Sequence, residues 1–381
     1  MARAGPTHRI LGATQQIAEG AANDVTRRST RVLVEAVDVF CGAGGLTYGL
    51  IQAGINVVAG IDSDPACEFP FAHNNDADFI KADIRQVTAA DIKKLYSKDA
   101  IRLLAGCAPC RPFSPYRRGG RVSKKGEWSL LGEFARLVDE VRPELVTMEN
   151  VPDLASKSIL KEFVTALESA RYEVDFKSVY CPRFGIPQHR RRLVLMASRI
   201  GKVTVPVGAV EPDEYRTVKD AIGSLIAIPA GGSAPNDRLH RARALSPTNL
   251  RRVRASKAGG TWRDWPEDLR SPCHQKKSGA SYQSVYARMS WHEPSPTITT
   301  QAHNFGTGRF GHPEQDRPIS LREAAILQTF PRDYRFVGRT DEVYFKTLGR
   351  LIGNAVPPKL ARTIGVELLR AASVHQAELR S

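Results

Sequence analysis

The chain has 381 residues, 42% of them hydrophobic and 25% charged, which describes a globular protein with room for two domains, or for one domain carrying an insertion. No apolar run approaches the roughly 18–20 residues that span a bilayer, and the N-terminal stretch lacks the apolar segment of about 7–15 residues of a secretory signal, so no membrane function and a cytoplasmic location are expected. The six cysteines have no regular pairing, which excludes a disulfide framework and suits a reducing compartment, while a formal charge of +15 points to a polyanion, nucleic acid first.

Residues 1–32 read as a polar, poorly ordered lead-in. The segment "VEAVDVFCGAGGLTYGLIQAG" (34–54) begins as a β-branched strand, turns through Gly42, Gly44 and Gly45, and continues with helical spacing to a stop at Gly54. "NVVAGID" (56–62) is a second strand ending in an acid, "PACEFPFAHN" starts a short helix, and "DFIKADI" (78–84) is a third strand that also ends in an acid. "DAIRLLAG" (99–106) is a fourth strand and "ELVTMENV" (144–151) a fifth, separated by the helical pattern of 129–141. Another helix follows at about 158–170, then two strands, "YEVDFKSVY" and "RLVLMAS". Strand alternating with helix predicts an α/β fold, a parallel sheet covered on both faces.

After about Gly201 the pattern fades into a stretch rich in Pro, Gly, Ser and Arg that runs to about Pro296. Eleven Lys/Arg stand against four Asp/Glu between Asn236 and Lys277. A second basic cluster (Arg117, Arg118, Arg121, Lys124, Lys125) lies upstream. Charge localised in this way suits a surface that grips phosphates. Helical pattern returns at 320–330 behind a cap-like Ser320, and a last helix runs from near Pro358 to the C-terminus.

A strand, a glycine turn and a helix form a mononucleotide-binding arrangement, in which bare backbone and a helix N-terminus accept a ligand. Asp62, about 20 residues further on, stands where an acid would bind ribose hydroxyls. Thr47 occupies the place of the third glycine of G-x-G-x-x-G. That weakens the dinucleotide reading and leaves room for another adenosine-bearing cofactor such as S-adenosylmethionine. Asp83 is either a ligand for an adenine amino group or, more plainly, a helix cap or a solvated strand end.

Cys107-Ala-Pro-Cys110 matches C-x-x-C. A structural zinc site needs a second ligand pair that the chain lacks, so no metal is expected. A redox dithiol sits at the start of a helix, which Pro112 and Pro115 disfavour. An inert core cysteine does not suit flanking prolines and a basic loop. Loops that leave the C-terminal ends of parallel strands carry the chemistry of such sheets, so Cys110 reads as a nucleophile.

The blocks "DVFCGAGGL", "GCAPCRPFS", "MENV", "PQHRRRL", "RPISLREAAILQTFP" and "LIGNAVPP" follow in that order, and the set resembles the DNA (cytosine-5)-methyltransferases of bacterial type over about 35–200 and 288–370. The resemblance implies a Rossmann-like S-adenosylmethionine-dependent methyltransferase fold with a smaller irregular target-recognition domain. The catalytic domain would comprise 33–200 plus 340–381, and the target-recognition domain 201–339. It makes Cys110 the thiolate that adds to carbon 6 of a cytosine flipped out of double-stranded DNA, and Glu149 the group that hydrogen-bonds ring nitrogen 3. Arg192 would sit against the base, Arg190 would support it, and Gln188 would serve loop structure. S-adenosylmethionine, leaving as S-adenosylhomocysteine, would lie over Phe40, Gly42, Gly44 and Leu46, with Asp62 and Ser63 at the ribose, Asp83 and Ile84 at the adenine, and Asn354 closing the pocket.

DNA would be contacted by Arg111, Ser114, Arg117 and Arg118 of the basic loop and by Arg251, Arg252 and Arg254 of the recognition segment. The expected role is modification in a restriction-modification or defence setting, by a monomer, with a cognate restriction endonuclease or defence components as possible partners and association with the nucleoid through DNA. A tRNA cytosine-5 methyltransferase and a catalytically silent DNA-binding protein are the alternatives. One departure stands out: Arg111 follows the cysteine where the family usually has glutamine. An added guanidinium at a phosphate-rich place implies tighter, more salt-sensitive DNA engagement. Arg111→Gln is therefore expected to flatten the salt dependence of DNA affinity, and an unchanged slope over a salt series would contradict this reading.

Overall fold

The computed structural model describes residues 32–109, 124–276 and 285–381, with backbone alone over 124–129. Its first part runs β1 (Val34–Val39), α1 (Gly45–Ala53), β2 (Asn56–Asp62), α2 (Glu68–Asn74), β3 (Asp78–Lys81), α3 (Ala89–Lys93), β4 (Ile101–Gly106), α4 (Lys124–Val141), β5 (Leu145–Asn150), α5 (Ser158–Ser169), β6 (Glu173–Tyr180), β7 (Gln188–His189) and β8 (Arg191–Ser198). Seven of these strands form one sheet in the order β3-β2-β1-β4-β5-β8-β6. The chain leaves β1 towards β2 on one side and returns to β4 on the other, so the C-terminal ends of β1 and β4 flank a topological switch point, the usual ligand crevice of such sheets. The glycine turn and the strand leading to Cys107 open there.

The expectation of a parallel sheet holds for five strands and fails at one edge. β8 lies antiparallel between β5 and β6. A parallel neighbour needs a crossover of a dozen or more residues, usually a helix. Only the short span Cys181–Arg190 joins β6 to β8, and it holds a 3-10 turn and β7. The third strand is also shorter than its apolar pattern predicts. It ends at Lys81, and Asp83 starts a 3-10 turn by accepting the Arg85 N–H.

Alternating side chains send the sheet's apolar residues to opposite faces. On one face Ala36, Leu103 and Val194 pack with Leu46 and Leu50 of α1 and with Leu360, Ile364 and Leu368 of the C-terminal helix. On the other, Val37, Leu104, Val146 and Leu195 meet Leu137 and Val138 of α4 and Phe163 and Leu167 of α5.

The later part carries α6 (Val218–Ile222), β9 (Ser233–Ala234), β10 (Asp237–Arg241), α7 (Pro247–Ala255), α8 (Pro272–Gln275), β11 (Ser295–Pro296), α9 (Leu321–Leu327), α10 (Phe345–Asn354) and α11 (Pro358–Glu378). Ser320 caps α9 in a reciprocal box with Glu323, a pattern that satisfies two otherwise orphaned N–H groups. α11 packs on α1 so closely that a methyl group on Gly49 would run into the Pro358 carbonyl and the Ala361 side chain. The intervening residues build their own core around Ile319, Leu327, Leu351 and Ile352, which reaches back to Ala43 and Cys67. The Tyr334 hydroxyl donates to Ala43 O, bracing the glycine turn from outside the first part. Among the described residues no helix is long and apolar enough to cross a membrane.

The irregular segment is held by arginines acting inward. Loop carbonyls need donors once buried, and guanidinium forks supply them. Arg288 donates to Val253 O, Ser256 O, His312 O and Gln315 O. Arg252 donates to Leu269 O and the Ser271 hydroxyl and lies over the Trp265 and Tyr286 rings. Within the basic run counted from the sequence, Arg252 is therefore scaffold.

Candidate active site

The site grows from three strand ends. After β1 the chain turns at Phe40, whose φ is 59°, and at Gly42 and Gly44, with φ of 55° and 84°. The Gly42 N–H donates to Asp62 Oδ2 at 2.9 Å, and the Asp64 N–H to Asp62 Oδ1 at 2.9 Å. Each carboxylate oxygen can accept a second hydrogen bond, which leaves Asp62 free to receive hydroxyl donors. A Cβ built on Gly42 would meet no atom within 4 Å, so the turn faces open space at that residue. Burial, opposed by these two N–H bonds, keeps the Asp62 carboxyl above its ordinary pKa. This bare turn beside a strand-end acid fits an adenosine-bearing ligand.

The neighbouring expected residues are distributed as follows. Ile84 is buried, Ser63 is exposed just past Asp62, and Asn354 is exposed at the end of α10. The Asp83 carboxylate is gripped by Arg85 Nε at 2.9 and 3.1 Å, and its bonds to Arg85 hold it down to about 2. Leu46 departs from expectation: its side chain is in the core, because helical spacing turns it inward with Leu50, and only its backbone remains near the turn.

Beneath this turn lies a group that sequence reading passed over. Asp38 on β1 is fully buried. Its Oδ2 accepts the Thr47 hydroxyl at 2.7 Å, whereas Oδ1 has no hydrogen-bond partner among the described residues. Desolvation, with the nearby negative Asp62 adding to it, raises its pKa from 3.8 to about 7. The Asp two residues before the turn was visible in the sequence, but nothing in a single strand reveals that both faces above it will be covered.

The second wall forms where β4 and β5 end. Their parallel register pairs Gly106 with Met148, so the next residues, Cys107 and Glu149, are neighbours. The Glu149 side chain is buried, and Arg192 Nε on β8 lies 2.8 Å from its Oε1. Among the described residues that oxygen nonetheless lacks a well-aligned hydrogen bond, while Cys107 Sγ donates to Oε2 at 3.7 Å. Burial pushes the Glu149 carboxyl up, and Arg192, Arg190 and the Cys107 thiol oppose it. Asn150 Nδ2 donates to Ala108 O at 3.0 Å, fastening the end of β5 to the chain that leads into the next loop. Cys110, Arg111, Ser114, Arg117 and Arg118 lie outside the described residues.

Arg190 and Gln188 have a different part from Arg192. Arg190 is fully buried and donates to Ile298 O at 3.0 Å and to Gly353 O and Ala355 O, both at 3.3 Å. Desolvation, with the like charge of Arg192, pushes its pKa down to about 9. Gln188 donates to Gln328 Oε1 at 2.7 Å and accepts the Ile298 N–H at 2.8 Å. Gln328 in turn reaches Ile352 O at 2.7 Å. This buried polar knot ties the start of β8 to chain more than 100 residues away, an arrangement that sequence spacing does not disclose. It makes Arg190 a scaffold rather than a group open to substrate. Of the recognition-segment arginines, Arg251 pairs with Asp268 at 2.6 Å and Arg254 with Asp316 at 3.1 Å, both mostly exposed. Arg252 is corrected to an internal role, since its donors face the Trp265 cluster.

A switch-point cradle beside a buried carboxyl, arginine and thiol is the geometry of a group-transfer enzyme, and comparison specifies it. The profile described as C-5 cytosine-specific DNA methylase matches residues 34–370. The type II methylase M.HgiDII of Herpetosiphon aurantiacus is 48% identical over 337 residues, spanning 88% of this chain and 94% of that protein. The type II methyltransferase M.PspPI of a Psychrobacter species is 32% identical, over 88% and 78% of the two chains. Among solved structures, one described as a DNA modification methyltransferase encoded within an Escherichia coli prophage superposes with a TM-score of 0.66 at 22% identity, covering 88% of this chain and 99% of that one. The chain belongs to the C-5 cytosine-specific DNA methylase family. It is a DNA cytosine-5 methyltransferase with the S-adenosylmethionine-dependent methyltransferase fold, and family and fold together imply use of S-adenosylmethionine.

Proposed function

We propose that the chain methylates cytosine within a specific duplex DNA sequence through a covalent bond to Cys110, as the modification partner of a type II restriction system. The observation that carries this reading is the Glu149 carboxyl, buried beside Arg192 and Cys107 where β4 runs out towards Cys110. Carbon 5 of cytosine is a poor nucleophile. Addition of the Cys110 thiolate to carbon 6 makes carbon 5 enamine-like, and negative charge develops at ring nitrogen 3. Burial pushes the Glu149 carboxyl towards its protonated form; as the acid it donates there, and Arg192 holds its carboxyl from the other side. Bound S-adenosylmethionine supplies a methyl group on positively charged sulfur, the electrophile that an activated carbon 5 requires. Loss of the carbon-5 proton and departure of the Cys110 sulfur then restore the ring.

The methyl donor would be held by Phe40, Gly42, Gly44 and the Leu46 backbone, by Asp62 and Ser63, by Asp83 and Ile84, and by Asn354. Flipping the base costs a few kcal/mol, and the basic loop with Arg111, Ser114, Arg117 and Arg118 is the part of the chain available to fill the gap. Arg251 and Arg254 would meet DNA phosphates by exchanging exposed carboxylate partners. The catalytic domain would comprise 33–200 plus 340–381, and the target-recognition domain 201–339. A cytoplasmic, nucleoid-associated monomer suits this role.

Duplex DNA carrying 5-fluorocytosine in the target sequence tests the reading, because fluorine cannot leave as the proton does. The expected result is a denaturation-resistant protein–DNA adduct in the presence of S-adenosylmethionine, absent for Cys110→Ser. No adduct with the unsubstituted enzyme on methylatable DNA would overturn the covalent route.

A further inference from the structure

The sequence holds Cys107 three residues before Cys110, and the proposed reaction uses only Cys110. Cys107 follows the last residue of β4, and its backbone N–H donates to Val39 O at 3.3 Å, so its position is fixed by the sheet and not by the loop beyond. The β4–β5 register brings it beside Glu149, and its Sγ donates to Glu149 Oε2 at 3.7 Å. This is the one aligned hydrogen bond on that carboxyl among the described residues, since Arg192 touches Oε1 without pointing an N–H along the bond.

We propose that Cys107 is a positioning residue for Glu149: its S–H holds one carboxyl oxygen while Arg192 contacts the other, which sets the plane in which Glu149 meets the base. The inference rests on the catalytic reading of Glu149 and extends it.

Two physical arguments support a division of labour between the cysteines. A thiol holds an acceptor in place only while it keeps its proton. Burial, with the Glu149 and Asp38 carboxyls beside it, holds the Cys107 thiol far above its ordinary range. A group so disfavoured as a thiolate is a poor nucleophile, so it does not compete with Cys110 for the pyrimidine. A carboxyl that must deliver a proton also needs a defined rotamer, because proton transfer depends on hydrogen-bond reach to the receiving atom. Ion-pair contact alone leaves the plane free to turn, and a directional donor on one oxygen removes that freedom. Among the described residues, the titratable or charged groups that face Glu149 are Cys107 just past β4, Arg190 and Arg192 from the strand segment 188–198, and Cys181 from the turn after β6. Of the two neutral thiols, Cys107 is the one hydrogen-bonded to the carboxyl.

The test uses the full-length enzyme with Cys107→Ala and Cys107→Ser, read by the pH dependence of single-turnover methyl transfer to duplex DNA. Donation from the thiol favours ionised Glu149, so its removal lets Glu149 keep its proton to higher pH. Cys107→Ala is expected to lower the plateau rate about tenfold, the worth of one hydrogen bond, and to move the alkaline limb upward, with cofactor affinity unchanged. Cys107→Ser, which keeps a donor, restores the limb and most of the rate. Wild-type plateau and limb in Cys107→Ala, or equal loss in both variants with an unmoved limb, would overturn the proposal.

A second measurement is independent of catalysis. The infrared S–H stretch, isolated by difference against Cys107→Ser, is expected at the low frequency of a carboxyl-bound thiol and should rise in Glu149→Ala, which removes the acceptor. A band unmoved by Glu149→Ala refutes the contact whatever Glu149 does in the reaction. If the band moves but Glu149→Gln retains full methyl transfer, the contact stands, and it is the catalytic reading of Glu149 that fails, and with it the positioning role.

Discussion

Replacing Glu149 by glutamine is expected to lower single-turnover methyl transfer by about two to four orders of magnitude, the range for loss of a positioned general acid. Cofactor affinity should stay within a few-fold, because the glycine turn and Asp62 lie on different strands. Glutamine matches the carboxyl in shape and can offer an N–H to ring nitrogen 3, but it cannot transfer a proton. The pH dependence separates these functions. Burial raises the Glu149 pKa, and the protonated form does the work. Its contribution is therefore present below the pKa in the folded enzyme and is lost as pH rises through it. The rate of the unsubstituted enzyme should fall on the alkaline side, while Glu149→Gln should run low and without that limb. The need for a Cys110 thiolate acts in the opposite direction, so the full profile is a bell whose two limbs belong to the coupled site. A Glu149→Gln rate within threefold of the unsubstituted enzyme would remove Glu149 from the chemistry.

The parts of this site that could be read from sequence are those in which local spacing is itself the physics. A β-branched run, glycines and helical spacing force a strand–turn–helix, and the acid ending β2 lands beside the turn, where Asp62 accepts the Gly42 N–H. Alternation along 188–192 puts Gln188, Arg190 and Arg192 on one face, and β8 carries Arg192 to Glu149. What alternation could not say is how far each side chain is covered. Gln188 and Arg190 meet carbonyls from 298, 327 and 353–355, partners defined only once the later chain has folded back. The same limit explains the basic segment. Its charge was countable, but whether a guanidinium faces solvent or a loop carbonyl depends on tertiary packing, and Arg252 and Arg288 turn inward. The antiparallel placement of β8 follows from the lack of a crossover helix, which was present in the sequence as a short, proline-bearing link. Cys107 was weighed only as half of a C-x-x-C pair. Its contact with Glu149 arises from strand register, a property of two segments about 40 residues apart.

Asp38→Asn is expected to stabilise the enzyme free of cofactor at neutral and alkaline pH, and the sign follows from proton linkage. The Asp38 carboxyl titrates near its ordinary 3.8 when unfolded and near about 7 when folded. The folded state therefore binds more protons between those values, and stability falls as pH climbs through that window. Below it both states carry a neutral carboxyl and nothing is lost. Above it the full penalty applies, about 4 kcal/mol for a displacement of this size, a large share of the roughly 5–15 kcal/mol that holds a domain folded. The group is fully buried, with one oxygen lacking any hydrogen-bond partner among the described residues, so solvent does not screen the charge. Among the described residues the charged or ionisable neighbours are Asp62, Cys41 and Cys107, and none of them supplies positive charge. Asparagine keeps an oxygen for the Thr47 hydroxyl and removes the ionisation. Thermal melting from pH 5 to pH 8 reads the effect: the variant's melting temperature should exceed the parent's by a small margin at pH 5, and that margin should widen up to about pH 7 and level off beyond it. Other titrating groups shift both proteins alike and cancel in the comparison. Parallel curves would mean that Asp38 keeps its charge at no cost, and that a cation or bound water compensates it beneath the glycine turn.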